Sequence, residues 1–218
     1  MEKRKLKSYQ RTKLVRGVGI NDADYVVQVF KTIGYLGGKK RKLVWVCPFY
    51  GRWMSMLTRC YSENYQSKYP SYKGCSVVRE WLTFSNFKSW MELQDWEGKQ
   101  LDKDILFPGN KIYGPDTCVF VDARVNSFII ERAADRGEWP IGVCFDKSRG
   151  KYVATCSSVV TGKVKVLGHF KTPEEAHQAW LTFKLEQAYV LAAQQTDERV
   201  AKALIDKYEN FTYIEKAA

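Results

Sequence analysis

Residues 101–137 read LDKDILFPGNKIYGPDTCVFVDARVNSFIIERAADRG. Two short apolar runs, Leu101 to Leu106 and Thr117 to Val121, flank a turn region rich in Pro, Gly and Asn. Ala123 to Ala133 then has helical character, so the order is strand, loop, strand, helix. Asn110, inside the turn PGNK, fits the role of a turn former. Gly137 to Pro140 mark a boundary.

Beyond that boundary, WPIGVCFDKSRGKYVATCSSVVTGKVKVLGHF (residues 139–170) alternates three β-rich runs with polar turns at Lys147 to Gly150 and Thr161 to Gly162. That is the pattern of a three-stranded meander. Thr172-Pro173-Glu174-Glu175 supplies a cap, a first-turn proline and first-turn acids, so a helix starts there and runs to about Gln195. Asp197 to Tyr208 reads as another helix. On the N-terminal side, Tyr25 to Phe30 and Leu43 to Val46 are β-rich runs joined across Gly34, Gly37, Gly38 and KKRK, as in a hairpin. Trp53, Met56, Leu57, Cys60 and Tyr61 follow helical spacing, and so do Phe84, Phe87, Trp90 and Met91 within Thr83 to Gln94, with Ser85 or Thr83 as the cap. Aromatics at that spacing are core residues.

The chain has 218 residues, 45% of them apolar, and a net charge of +11. That suffices for one sizeable core or two small ones. No stretch reaches the ~18–20 apolar residues of a membrane span, and the charged N-terminus lacks the apolar region of a secretion signal. The six cysteines form no CxxC pair and only two histidines accompany them, so buried reduced thiols in a cytoplasmic protein are the expectation. The charge is uneven. Residues 1–55 hold 13 Lys or Arg against three acids, and residues 138–171 hold six against two, whereas residues 172–218 are net acidic. A basic excess gathered this way favours a polyanion, with nucleic acid ahead of a membrane because no basic amphipathic helix accompanies it.

The strand-loop-strand-helix segment resembles the HNH, or ββα-metal, endonucleases that phages encode. Trp53 to Tyr61 (WMSMLTRCY) and Tyr72 to Phe87 (YKGCSVVREWLTFSNF) are similar to the lead-in of such proteins. The resemblance maps Asp102-Lys103 onto the family's Asp-His pair, Thr117 onto its middle Asn, and Asn126, nine residues on, onto the helix position. It implies that Asp102 and Asn126 hold one Mg²⁺ or Mn²⁺, which suits hard oxygen ligands. Lys103 stands where the family has a general base. An ammonium is a proton donor at neutral pH, so phosphate binding or charge stabilisation suits Lys103 better, with water activated by the metal or by Asp104. Thr117 stands for the loop-bracing Asn, and a hydroxyl can do part of that work.

Gly142 to Phe170 followed by TPEEAHQAW resembles the Apetala2-type DNA-binding domain. The features are Gly142-Val143 with Asp146, the central GKYVA, the LGHF ending, and Ala176 and Ala179 on the helix. The resemblance implies a sheet that lies on double-stranded DNA through Lys147, Arg149, Lys151, Lys163, Lys165 and His169; the basic excess of the N-terminal segment separately adds Lys39, Lys40, Arg41 and Lys42 as candidate DNA contacts. Lysines mainly position on phosphates, and Arg149 is the sole arginine of the sheet set.

The expectation is therefore an α+β chain: a basic segment over 1–46, an HNH-like unit over 47–136, an Apetala2-like domain over 137–195 and a helical tail over 196–218. The leading activity is a phage-type DNA endonuclease or nickase with one divalent metal, no small-molecule cofactor and no membrane partner. The competing reading is a catalytically inactive DNA-binding protein on a degenerate HNH scaffold, favoured by Lys103 and Thr117. An RNA-binding accessory role would call for paired exposed aromatics on a sheet.

Overall fold

A computed structural model of the chain describes residues 13–35, 38–130 and 138–211. Outside them lie most of the basic run at the N-terminus, residues 131–133 of the expected helix, Gly137 of the expected boundary and the end of the tail. The fold is mixed α+β and divides into two compact units, Met1–Val121 and Asp122–Ala218. The division falls inside the strand-loop-strand-helix segment, between its last strand and its helix.

In the first unit β1 (Gln28–Tyr35) and β2 (Gly38–Val46) form an antiparallel ribbon, followed by α1 (Pro48–Tyr61) and α2 (Glu63–Lys68). A short β3 (Ser76–Val77) leads to α3 (Phe84–Glu92), then β4 (Gln100–Asp102), β5 (Ile112–Tyr113) and β6 (Val119–Val121). β4 pairs antiparallel with β6, Asp102 opposite Val119, while β3 pairs parallel with β5.

The helical spacing of the aromatics does what amphipathic spacing should: Trp53, Leu57, Phe84, Phe87 and Met91 are fully buried between α1 and α3. The Trp53 indole donates to the Trp81 carbonyl at 2.7 Å, so its one polar atom is satisfied inside the core. Trp81, Trp90 and Phe120 continue the aromatic stack, with ring centroids 4.5 Å and 5.7 Å apart, and tie β6 to α3. The cap of α3 comes from elsewhere than expected. Neither Thr83 nor Ser85 supplies an acceptor; Asp22, from a loop 63 residues earlier, accepts from the Ser85 backbone N–H at 2.9 Å and from its hydroxyl at 2.5 Å. A tertiary carboxylate thus meets the orphan donors of the first turn.

In the second unit α4 (Ala123–Ile129) is capped by Asp122, which accepts from Val125 N–H at 2.8 Å. A three-stranded antiparallel meander follows, β7 (Val143–Asp146), β8 (Lys151–Ser157) and β9 (Val164–Phe170), then α5 (Pro173–Ala192) and α6 (Glu198–Glu209). Thr172 and Glu175 form a reciprocal capping box at the start of α5. α4 packs on this helical layer: the Tyr208 hydroxyl and the Lys184 ammonium both donate to the Phe128 carbonyl, at 3.0 Å and 3.1 Å.

One close approach fixes the sheet on α5. Gly142 has φ +82°, and a Cβ there would lie 2.0 Å from the Trp180 ring. Gly142→Ala therefore adds an overlap to the left-handed strain, and we expect a loss above about 2 kcal/mol in urea unfolding. Gly150→Ala, at φ +60° in open space, should cost only the strain of about 1 kcal/mol. Equal losses at the two sites would contradict the packing described.

Candidate functional site

The end of β4 carries the densest set of polar contacts. Asp102 turns its Oδ1 back into its own chain, accepting from the backbone N–H groups of Asp104 at 2.9 Å and Ile105 at 2.7 Å. Burial, with Asp104 next to it, holds the Asp102 carboxyl above the ordinary aspartate range. Lys103 is 5% exposed. Its Nζ donates to Asp104 Oδ2 at 3.0 Å and to the Asn110 carbonyl at 2.9 Å, and lies 6.0 Å from the centre of the Tyr113 ring.

Two side chains tie the loop together. Asn110 Nδ2 donates to the carbonyls of Lys103 at 2.6 Å and Ile112 at 2.8 Å, while its Oδ1 accepts from Ile112 N–H at 3.1 Å. Thr117 Oγ1 donates to the Ile112 carbonyl at 2.8 Å. Asn110 is therefore more than a turn former: it spans the loop and joins β4 to β5. The signal lay in an amide two residues before a strand, a spacing that lets it bond its own chain on both sides. Arg59 also carries no signal in the sequence pattern. Its guanidinium reaches the Leu101 carbonyl at 3.4 Å and the Tyr113 hydroxyl at 3.5 Å, and its buried Nε has no hydrogen-bond partner among the described residues.

One oxygen of Asp102 serves two backbone donors, Asp104 faces an ammonium, and Asn126 lies half-buried on α4, in the second unit. Among the described residues no group of three or more His, Cys, Asp or Glu side chains is placed to hold a metal. Burial pushes the Cys60 and Cys118 thiols up to about 12. All six cysteines are free.

The β7–β8–β9 sheet has two unlike faces. Cross-strand pairing puts Tyr152, Ala154 and Cys156 on one face with Phe170, Gly168 and Lys165, and this face meets α5: Ala154 is fully buried. Lys165 belongs to it, its Nζ lying 4.8 Å from the centre of the Phe183 ring, so it points to the helix and not to the free face. The other face carries Cys144, Lys151, Val153, Thr155, Ser157, Val164, Val166 and His169, with Lys147 and Lys163 exposed at the turns. Arg149 Nη1 donates to His169 Nε2 at 2.9 Å and lies 3.3 Å from Asp146 Oδ2. Because a guanidinium only donates, His169 Nε2 is the acceptor of this bond. Asp146 is held below the ordinary carboxylate range, chiefly by the Ser148 hydroxyl.

The basic run at Lys39–Lys42 lies on β2. Lys40, Arg41 and Lys42 are exposed, opposite Ile33, Thr32 and Lys31; Lys39 pairs with Gly34, and its side chain lies outside the described residues. Among the described residues no helix is long and apolar enough to cross a membrane. Comparison of the chain with protein families, with curated proteins and with solved structures finds no match.

The geometry of Asp102 gives a pH signature. A carboxyl raised in the fold stabilises while protonated, below the ordinary value of ~3.9, and loses that contribution as pH rises through its raised value. Asp102→Asn keeps the acceptor oxygen and removes the buried charge. We expect the variant to gain stability over the parent at pH 7, with the gain shrinking towards pH ~4, in urea titrations across that range. A variant less stable than the parent at pH 7 would show that the fold uses the ionised form.

Proposed function

We propose that the chain binds double-stranded DNA through the free face of the β7–β8–β9 sheet, on an HNH-like scaffold whose cleavage centre is degenerate at Lys103. The observation that carries the binding is the asymmetry of the sheet. One face is filled by α5, and the other leaves Lys151, His169 and Arg149 open to solvent with Lys147 and Lys163 at its ends. A sheet with this division fits a major groove with its packed face turned away. The lysines serve phosphates, and Arg149, held by His169 and Asp146, is the one side chain suited to a base edge. Recognition of sequence is correspondingly thin, and affinity rests on charge.

The degenerate centre rests on Lys103. In the place of a general base stands a buried ammonium whose hydrogen bonds go to Asp104 and a carbonyl. It has no lone pair to take a proton from water. Asp104, the other candidate to activate water, is the ammonium's counter-charge. The second reading, a nickase using Mg²⁺ or Mn²⁺ with Asp102 and Asn126, keeps one support: Asp102 ends β4, β6 pairs with it, and α4 with Asn126 follows, which retains the order and spacing of the ββα pattern.

Incubation of the purified chain with supercoiled plasmid in Mg²⁺ or Mn²⁺, run beside a gel shift on linear duplex, separates the two. The expected result is retardation of the duplex without nicked plasmid, and at least a tenfold loss of affinity in Arg149→Ala/Lys151→Ala. Nicking that disappears in Asp102→Ala would establish the nickase instead. Undiminished duplex binding by the double variant would remove the sheet from the interface.

A further inference from the structure

The β1–β2 ribbon is a two-stranded sheet on its own: β1 pairs only with β2, and neither has a second neighbour among the described residues. An isolated hairpin normally needs a packed face to be stable. This one leaves Val29, Phe30, Ile33, Leu43, Val44 and Trp45 each 40% exposed or more. Its charge is one-signed. From Tyr25 to Ser62 the sequence contains no Asp or Glu, while the strands hold Lys31, Lys39, Lys40, Arg41 and Lys42.

The register sharpens this. Lys31 stands directly opposite Lys42, and Lys40, opposite Ile33, projects from the same face two residues along. Like charges directly across a ladder destabilise it, and no carboxylate of the ribbon answers them. On the other face Arg41 lies over the Phe30 ring, 4.6 Å from its centre, beside Leu43. Ile33, Lys40, Arg41, Lys42 and Leu43 line an open hollow.

We infer that this ribbon is a second DNA-binding element, which enters the major groove of a duplex with Lys31, Lys40 and Lys42 on its phosphates. The inference extends the binding proposed for the β7–β8–β9 sheet and rests on duplex DNA being the ligand. The dimensions agree. Strands of eight or nine residues at ~3.3 Å per residue extend about 26–30 Å, nearly one helical turn of DNA. A two-stranded ribbon fits a major groove of about 12 Å, whereas the minor groove of about 6 Å is too narrow. Phosphates on the groove walls relieve the Lys31–Lys42 repulsion that the free ribbon carries. An anionic membrane fits less well. Interfacial binding needs the apolar side chains on one face, and here Val29, Ile33 and Trp45 project from one face while Phe30 and Leu43 project from the other. A groove, which encloses the ribbon, meets both faces.

Lys31→Ala/Lys42→Ala removes the opposed pair without touching the sheet of the second unit. Fluorescence anisotropy of the full chain on a duplex of about 20 base pairs across roughly 50–300 mM salt is the assay, with Arg149→Ala/Lys151→Ala in parallel. For the ribbon variant we expect at least a tenfold weaker Kd at about 100 mM salt and a salt slope shallower by about 1.8, because two phosphates are no longer neutralised. The melting temperature should stay level or rise, because the repulsion is gone. A Kd within twofold of the parent with an unchanged slope overturns the ribbon's role; if the Arg149 and Lys151 variant still weakens in that case, the sheet proposal stands alone. Loss only in the ribbon variant leaves the ribbon and removes the sheet. Lys31→Arg/Lys42→Arg should retain binding, which guards against misfolding as the cause. Two further outcomes overturn the inference: ribbon-dependent binding to phosphatidylserine vesicles without ribbon-dependent duplex binding, or a ribbon-dependent dimer in sedimentation velocity whose Lys variant binds duplex normally.

Discussion

A lysine ammonium removed from water must be given acceptors, and the loop between β4 and β5 is arranged around that requirement. Lys103 has Asp104 and the Asn110 carbonyl; Asn110 in turn holds the Lys103 carbonyl and both polar groups of the Ile112 backbone. Thr117 closes on the same Ile112 carbonyl. The ammonium is buried while the Asp104 carboxylate is half exposed, so the solvent-screened ion pair is helped by the fixed Asn110 carbonyl in holding the cation. A catalytic reading of the same residues would need Asp104 free and a base at position 103. In the folded loop Lys103 Nζ and one oxygen of Asp104 are engaged with each other.

The cations outside this loop are disposed differently. Lys103 is buried with an answering charge, whereas Lys40, Arg41 and Lys42 of β2 and the cations of the free face of β7–β8–β9 are exposed, and among these described residues Arg149 has an acid partner. Internal cations with acceptors build structure, while exposed cations are available to a polyanion. The two compact units each carry one such surface, the ribbon in the first and the sheet in the second. Exposed basic charge is therefore distributed along the chain.

Much of the fold was legible in the sequence because its elements obey simple periodicities. The aromatic spacing of α1 and α3, the meander with its turns at 147–150 and 161–162, and the Thr172 capping box all appear where alternation and end signals put them. What was hidden depends on residues far apart in the chain. Asp22 caps a helix 63 residues away, and no local pattern could select it over Thr83 or Ser85. The helix side of Lys165 follows from the register shift at Ala154/Thr155, since Leu167 is the extra residue that changes the face its neighbours take. At the site, Asp102, Lys103 and Thr117 were readable as positions. Their partners were not, because the burial of Lys103 and the span of Asn110 exist only once β4, β5 and the loop are in place.

DNA is expected to meet two exposed basic surfaces while the Lys103 loop stays a structural element. Backbone hydrogen exchange of the full chain, with and without a saturating duplex of about 20 base pairs, tests both halves of that expectation in one experiment. Added protection is predicted in β1–β2 and in β7–β9, with exchange in the loop of residues 103–112 unchanged. Protection gathered on that loop, with both basic surfaces unaffected, would contradict it.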